Sequence, residues 1–144
     1  PFDKYDLERS HVFGATVTKV MNAEDKIEVW GTGEEERDLL HVDDLVQFVE
    51  KTIKNQDSPY ELFNCGLGKA VCIRQLVEIM VRLSGKTLKI EHDLSQPSIK
   101  TSLFLECSKA REMLGWKPHI DLEVGVQQTL SWYSGNIMGN TLPK

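Results

Sequence analysis

The sequence is short of the residue types that several kinds of function need. It has only three cysteines, Cys65, Cys72 and Cys107, an odd number with no CxxC spacing, so it encodes neither a disulfide framework nor a thiolate metal site. Four scattered histidines add no metal-ligand pattern, and no metal is expected. No apolar run approaches the roughly 18 residues of a membrane span and no stretch resembles a signal peptide, so a membrane partner is not expected. Lysine and arginine number 17 against 22 acidic residues, for a net charge of −5, and the basic residues are dispersed. That weighs against nucleic acid as a partner, which needs a basic face. Internal repeats, low-complexity segments and coiled-coil heptads are absent. The chain also starts at Pro1, without Met, in a loop-like stretch, and is expected to be a piece of something longer.

What is present suits a globular α/β protein. The 144 residues make one domain in size, able to bury roughly 70% of the unfolded surface, with an ordinary 40% hydrophobic and 27% charged content. Unpaired thiols fit a reducing, cytoplasmic setting. The most informative stretch is Ile27 to Val49. Ile27–Trp30 is a short β-prone run stopped by Gly31-Thr32-Gly33. Arg37 follows Glu34–Glu36, then comes the apolar run Leu39-Leu40-His41-Val42, which predicts a second strand. Asp43 and Asp44 precede Leu45, Val46, Phe48 and Val49 in the pattern of a capped amphipathic helix running to about Asn55.

Elsewhere residues 1–9 read as a loop, and Ser10 predicts the N-cap of a helix through about Asn22, with His11 in its first turn. Glu61–Cys65 reads as a strand ended by Gly66 and Gly68, a GxG that is a turn and not a dinucleotide fingerprint, since the third glycine is missing. Ile73–Leu83 has helical spacing closed by Ser84-Gly85, and Leu88, Ile90 and His92 alternate as a strand. Asp93–Thr101 is a polar loop, Leu103–Glu106 a short strand, and Ser108 caps a helix to Leu114 that Gly115 and Pro118 end. A last helix starts at Asp121 or Leu122, and Gly135 to Lys144 should fray as a flexible tail beyond a folded part spanning 1–134. Strands alternating with helices make the fold class α/β. The strands are too few and short for an independent doubly wound sheet, and several helical faces are more apolar than these strands can cover, so the chain reads as part of a domain.

Two residues carry chemistry with alternatives open. Arg37 either neutralises Glu34–Glu36 at the surface or presents its planar fork to an anion at a loop end. His11 is either an ordinary surface residue at a helix start or a group that gives and takes a proton near neutral pH.

The strings SHVFGATVTKV, VWGTGEEERDLLHVDDL, FNCGLGKAVCIRQLVEIM and SKAREMLGWKPHIDLEVGV resemble, in that order and over nearly the whole chain, the carboxyl-terminal half of nucleotide-sugar epimerases, dehydratases and reductases of the extended short-chain dehydrogenase/reductase class. The likeness is greatest to the branch that uses NADPH to convert GDP-4-keto-6-deoxy-mannose to GDP-fucose. The resemblance implies a partial Rossmann-type fold, the substrate-binding part only, holding a nucleotide sugar, with a GDP-sugar favoured. It implies that His11 matches the proton-donating acid of epimerisation, an isomerase step, and that Trp30 and Arg37 line the nucleotide-sugar site, Arg37 against the diphosphate. NADP is implied through an amino-terminal half not found in these residues. The family's glycine-rich cofactor loop is missing. So is its Tyr-x-x-x-Lys, since Tyr5, Tyr60 and Tyr133 are followed four positions on by Arg9, Asn64 and Ile137. Alone, the chain is therefore expected neither to bind the cofactor nor to transfer a hydride as an oxidoreductase. Gln96 and Ser102 stand where that branch has basic residues, leaving Lys100 as the nearby cation for the substrate. Asp43, Asp44 and Trp116 take structural readings. Two alternatives stay open: part of a UDP-sugar 4-epimerase or sugar-nucleotide dehydratase, and a truncated, non-catalytic binding module. In the last, an apolar face that the absent half would cover favours self-association or a homodimer.

Overall fold

The computed structural model describes residues 3–96 and 101–139. Helix α1 (Val12–Asn22) leads to strand β1 (Lys26–Trp30), then β2 (Glu36–Arg37) and α2 (Val42–Asn55). After a long connection come β3 (Val71–Cys72), α3 (Ile73–Ser84), β4 (Lys89–Asp93), α4 (Ser108–Leu114) and α5 (Leu122–Tyr133), which passes into a π-helical turn, Ser134–Met138. The α/β class holds.

β1 and β4 pair in parallel, from Lys26 opposite Lys89 to Trp30 opposite Asp93. Residues of β1 alternate, Ile27 and Val29 buried, Lys26, Glu28 and Trp30 exposed, as the two-residue period of a strand requires. The buried pair joins Val17 and Val20 of α1, Leu76, Val77 and Met80 of α3, and Val126 and Leu130 of α5 in the main core. A second, smaller core forms around Trp116, with Leu114, Ala110 and Cys107 inside it and Phe48 and Phe63 against it. Phe48 meets Trp116 edge to face at 5.1 Å between centroids.

β2 is the short strand that matters for the site. It pairs antiparallel with β3, and on its other side Glu36 bridges Ser102 in parallel. The predicted strand at Leu39–Val42 does not form. Pairing stops after Arg37 because the Asp38 carboxylate turns inward and accepts the amides of Leu67, Gly68 and Leu105. Leu39 then packs on the main core and Leu40 on the second, so this apolar run serves two cores and not a ladder.

The same redistribution corrects several caps and strands. His41, not Asp43 or Asp44, caps α2, its Nδ1 accepting from the Asp43 amide at 3.2 Å. Asp44 instead lies 2% exposed inside the helix and accepts the amides of His119 and Ile120. His11 is the N-cap residue of α1 rather than a member of its first turn, and Ser10 precedes it with a buried hydroxyl oxygen that has no partner among the described residues. Cys107 holds the cap position of α4, while Ser108 is its first residue and donates to Glu106. Glu61–Cys65 is not a strand. Side chains hold it instead: Lys109 donates to Leu62 O, and Asn64 donates to Glu106 O. Leu103–Glu106 forms no strand either, because the Leu105 amide goes to Asp38. The chain keeps a regular turn through Met138, where the turn-formers predict fraying; the rest of that tail, from 140 on, lies outside the described residues.

Candidate nucleotide-sugar site

A cleft of about 640 Å³ opens between the start of α1, β1, β2 and α3. Its floor is apolar, from Ile27, Val29, Ile73 and Val77, and Trp30, Arg37, Lys19 and Glu35 stand around it. Of the residues singled out in the sequence, Trp30 and Arg37 are brought to this one cleft by the strands on either side of the Gly31–Gly33 turn. That turn is built for the purpose. Gly31 and Gly33 have φ of 65° and 70°, a left-handed backbone that a side chain strains. A β-carbon on Gly33 would also sit 3.2 Å from the Arg74 amide nitrogen.

Trp30 is 55% exposed, and the Lys19 ammonium lies 5.4 Å from its ring centroid while donating to Glu28 O at 3.0 Å. An indole with a cation over it offers a stacking surface beside a positive charge. Lys19 escaped the sequence reading. The available signal was its place on α1 two turns after His11, on the helix that opens the site.

Arg37 is half-buried, and its Nη1 donates to Glu36 O at 2.8 Å and to Thr101 Oγ1 at 2.9 Å. Both of these acceptors are neutral oxygens, so neither bond neutralises the guanidinium charge. His11 is exposed and does not line the cleft, although its neighbours Ser10 and Val12 do. Lys100 lies outside the described residues.

A second cleft, about 440 Å³, is bordered by Asp3, Asp38, His41 and Asp121 with no lysine or arginine among its described lining residues, which makes these a poor home for phosphate. The Gly66–Gly68 turn does not fit a dinucleotide either. A pyrophosphate needs open amides, but those of Leu67 and Gly68 already donate to the Asp38 carboxylate at 2.6 and 3.1 Å, and a β-carbon at Gly66 would meet that carboxylate at 2.6 Å. Burial, more than any neighbouring charge, pushes the Cys65 thiol up to about 11 and raises Cys107 as well, so both are protonated and unreactive at neutral pH. Among the described residues no group of three or more metal-ligating side chains comes together, and no helix is long and apolar enough to cross a membrane.

The chain is similar to known proteins in sequence and in fold. The model of the NAD dependent epimerase/dehydratase family matches residues 1–66. The chain is 36% identical over 143 residues to the probable GDP-L-fucose synthase 1 of Oryza sativa subsp. japonica, covering 96% of this chain and 43% of that protein. It is 34% identical over 116 residues to a UDP-glucuronate 4-epimerase of Thermodesulfobacterium geofontis, covering 79% and 35%. In fold it matches a GDP-6-OMe-4-keto-L-xylo-heptose reductase from C. jejuni with a TM-score of 0.79, over 92% of this chain and 50% of that one, at 21% identity. Residues 1–66 are thus similar to the NAD dependent epimerase/dehydratase family, and the chain shares its α/β fold with about half of that reductase. In sequence it is similar to proteins named GDP-L-fucose synthase, and it spans less than half the length of the curated relatives it matches.

Proposed function

We propose that this chain is the substrate-binding portion of a nucleotide-sugar epimerase/reductase resembling GDP-L-fucose synthase, with a GDP-sugar as ligand. The observation that carries the proposal is the meeting of Trp30, Lys19 and Arg37 around one cleft with an apolar floor. Arg37 and Lys19 would hold the diphosphate, and Trp30 would stack on a flat part of the ligand. Lys100, one residue before Thr101, would add a further cation at the phosphate end. His11 would be the acid that protonates the sugar carbon during epimerisation. The support for it is an exposed imidazole at the start of α1, between two residues that line the cleft.

NADP would serve the reaction from outside the residues described. Because the Gly66–Gly68 turn offers no phosphate cradle, the chain alone would bind the nucleotide sugar without turning it over. Location in the cytoplasm belongs to the same reading, supported by three unpaired thiols.

Calorimetric titration with GDP and with UDP, repeated on Arg37→Ala, tests it. GDP should bind, and the substitution should weaken binding by about 1.5–3 kcal/mol, roughly ten- to a hundredfold. Absence of GDP binding in the folded chain would overturn the proposal. The likeness to a UDP-glucuronate 4-epimerase favours one rival, a UDP-sugar 4-epimerase or dehydratase part, and a preference for UDP would select it.

The outer face of α2 supports self-association as a further part of the reading. Val42, Val46, Val49 and Ile53 recur along one side of that helix and are 50%, 53%, 47% and 79% exposed. The helix is acidic at its start, at Asp43, and basic at its end, at Lys54, so two copies packed antiparallel would set opposite charges side by side. If neither nucleotide binds, this non-catalytic interaction module is the reading that remains.

A further inference from the structure

We infer that Thr101 is a positioning residue for the candidate site, fixing which edge of the Arg37 guanidinium faces a ligand. The inference rests on the nucleotide-sugar reading above. A guanidinium has five N–H donors in a rigid plane, two of them on Nη1. Both Nη1 hydrogens have an acceptor here, Glu36 O and Thr101 Oγ1. What remains is the side edge, Nε and Nη2, a pair that matches two oxygens of one phosphoryl group.

Glu36 O belongs to the strand itself and would hold one hydrogen in any rotamer that keeps Nη1 near the backbone. The second contact sets the rotation of the plane, and only Thr101 supplies it among the described residues. Its hydroxyl is well placed to do so, because the Thr101 carbonyl accepts the Glu36 amide at 2.9 Å and Ser102 bridges Glu36. The backbone that carries the hydroxyl is thus bound to the strand that carries the arginine. Thr101 is exposed and packs in neither core, so stability gives it no other evident role.

The test is GDP titration of the wild-type chain, Thr101→Val, Thr101→Ser, Arg37→Ala and the Thr101→Val/Arg37→Ala double variant. Side-chain nitrogen NMR of Arg37 runs alongside. Valine keeps the branched shape and removes the hydroxyl, so Thr101→Val should weaken GDP binding about three- to tenfold. Serine should restore wild-type affinity, and valine should cost nothing further once Arg37 is alanine. The Arg37 Nη signals, separate when rotation is hindered, should average in Thr101→Val. Three results overturn the inference while leaving the nucleotide reading in place: Thr101→Val without effect where Arg37→Ala weakens binding, an equal Thr101→Val effect in the Arg37→Ala background, or Nη signals unchanged by valine. If Arg37→Ala itself leaves GDP binding intact, the reading of the site fails and the positioning role falls with it.

Discussion

Asp38 and Asp44 are two carboxylates of RDLLHVDDL that the fold uses as acceptors for loop amides. Asp44 is the more consequential for stability. It is buried, its two oxygens take the His119 and Ile120 amides at 2.9 and 3.0 Å, and its carbonyl accepts the Trp116 indole N–H at 3.2 Å. Alanine at 44 leaves two amides without their acceptors. It should lower stability by about 2–4 kcal/mol in urea unfolding, with asparagine, which keeps one oxygen, falling between alanine and wild type. Helix-start aspartates usually serve as caps, so neither tie could be read locally, because their partners lie 29–76 positions further along the chain. Cys65 gives a pH prediction at the same scale. Its thiol is held protonated by burial more strongly in the folded chain than in the unfolded one. The resulting stabilisation is complete below the ordinary thiol value and is lost as pH rises through about 11. Alkylation of Cys65 in the folded chain should therefore stay slow at pH 8 and accelerate only near 11, and fast modification at pH 8 would refute the assignment.

At the scale of elements, α1 is tied down at its far end by a residue that the helix itself does not contain. The Lys86 ammonium donates to Val20 O, Met21 O and Ala23 O, meeting the carbonyls and the negative dipole that a helix leaves open at its C-terminus. Lys86→Met keeps most of the stem and removes those bonds, and should cost about 1–3 kcal/mol in thermal or urea unfolding. The β1–β4 pair carries a cross-strand link of a different kind. Hydrogen bonds from Lys89 and Lys26 hold the Glu91 carboxyl down to about 2. A depressed acid contributes above its unfolded value of 4.5 and stops contributing as pH falls through about 2. Titrating the Glu91 carboxyl carbon by NMR should give a midpoint near 2 that moves upward in Lys89→Ala. The link is exposed, so its effect should shrink with added salt.

For the whole molecule, the two cores divide the labour. The main core sets the cleft by holding α1, β1 and α3 together, while the second fastens α2 and α4 around Trp116. Trp116 is 1% exposed, and Trp116→Ala should cost about 3–5 kcal/mol in chemical unfolding. Meanwhile α2 buries one side on the second core and leaves Val46, Val49 and Ile53 uncovered. Sedimentation of the chain should show concentration-dependent association, which Val46→Glu with Ile53→Glu abolishes without changing the circular dichroism. A monomer at all concentrations would remove that part of the proposed function.

The sequence by itself determined the α/β class, four of the five helices to within a residue or two and the two parallel-paired strands, and it marked Arg37 as a candidate, whereas Trp30 was reached only through the family resemblance. It could do so because helical and strand periods, glycine stops and a planar cation beside a turn are local signals, legible over a dozen residues. Helix starts were less secure, as the caps at His41 and Cys107 show. Only the tertiary structure decided where the carboxylates of RDLLHVDDL go, why Leu39–Val42 and Glu61–Cys65 are not strands, and that Lys19 joins Trp30 in the cleft. Each of those outcomes depends on a partner dozens of residues away. A backbone amide accepts whichever oxygen the packed chain brings to it, and a strand needs a neighbour that no single stretch of sequence can supply.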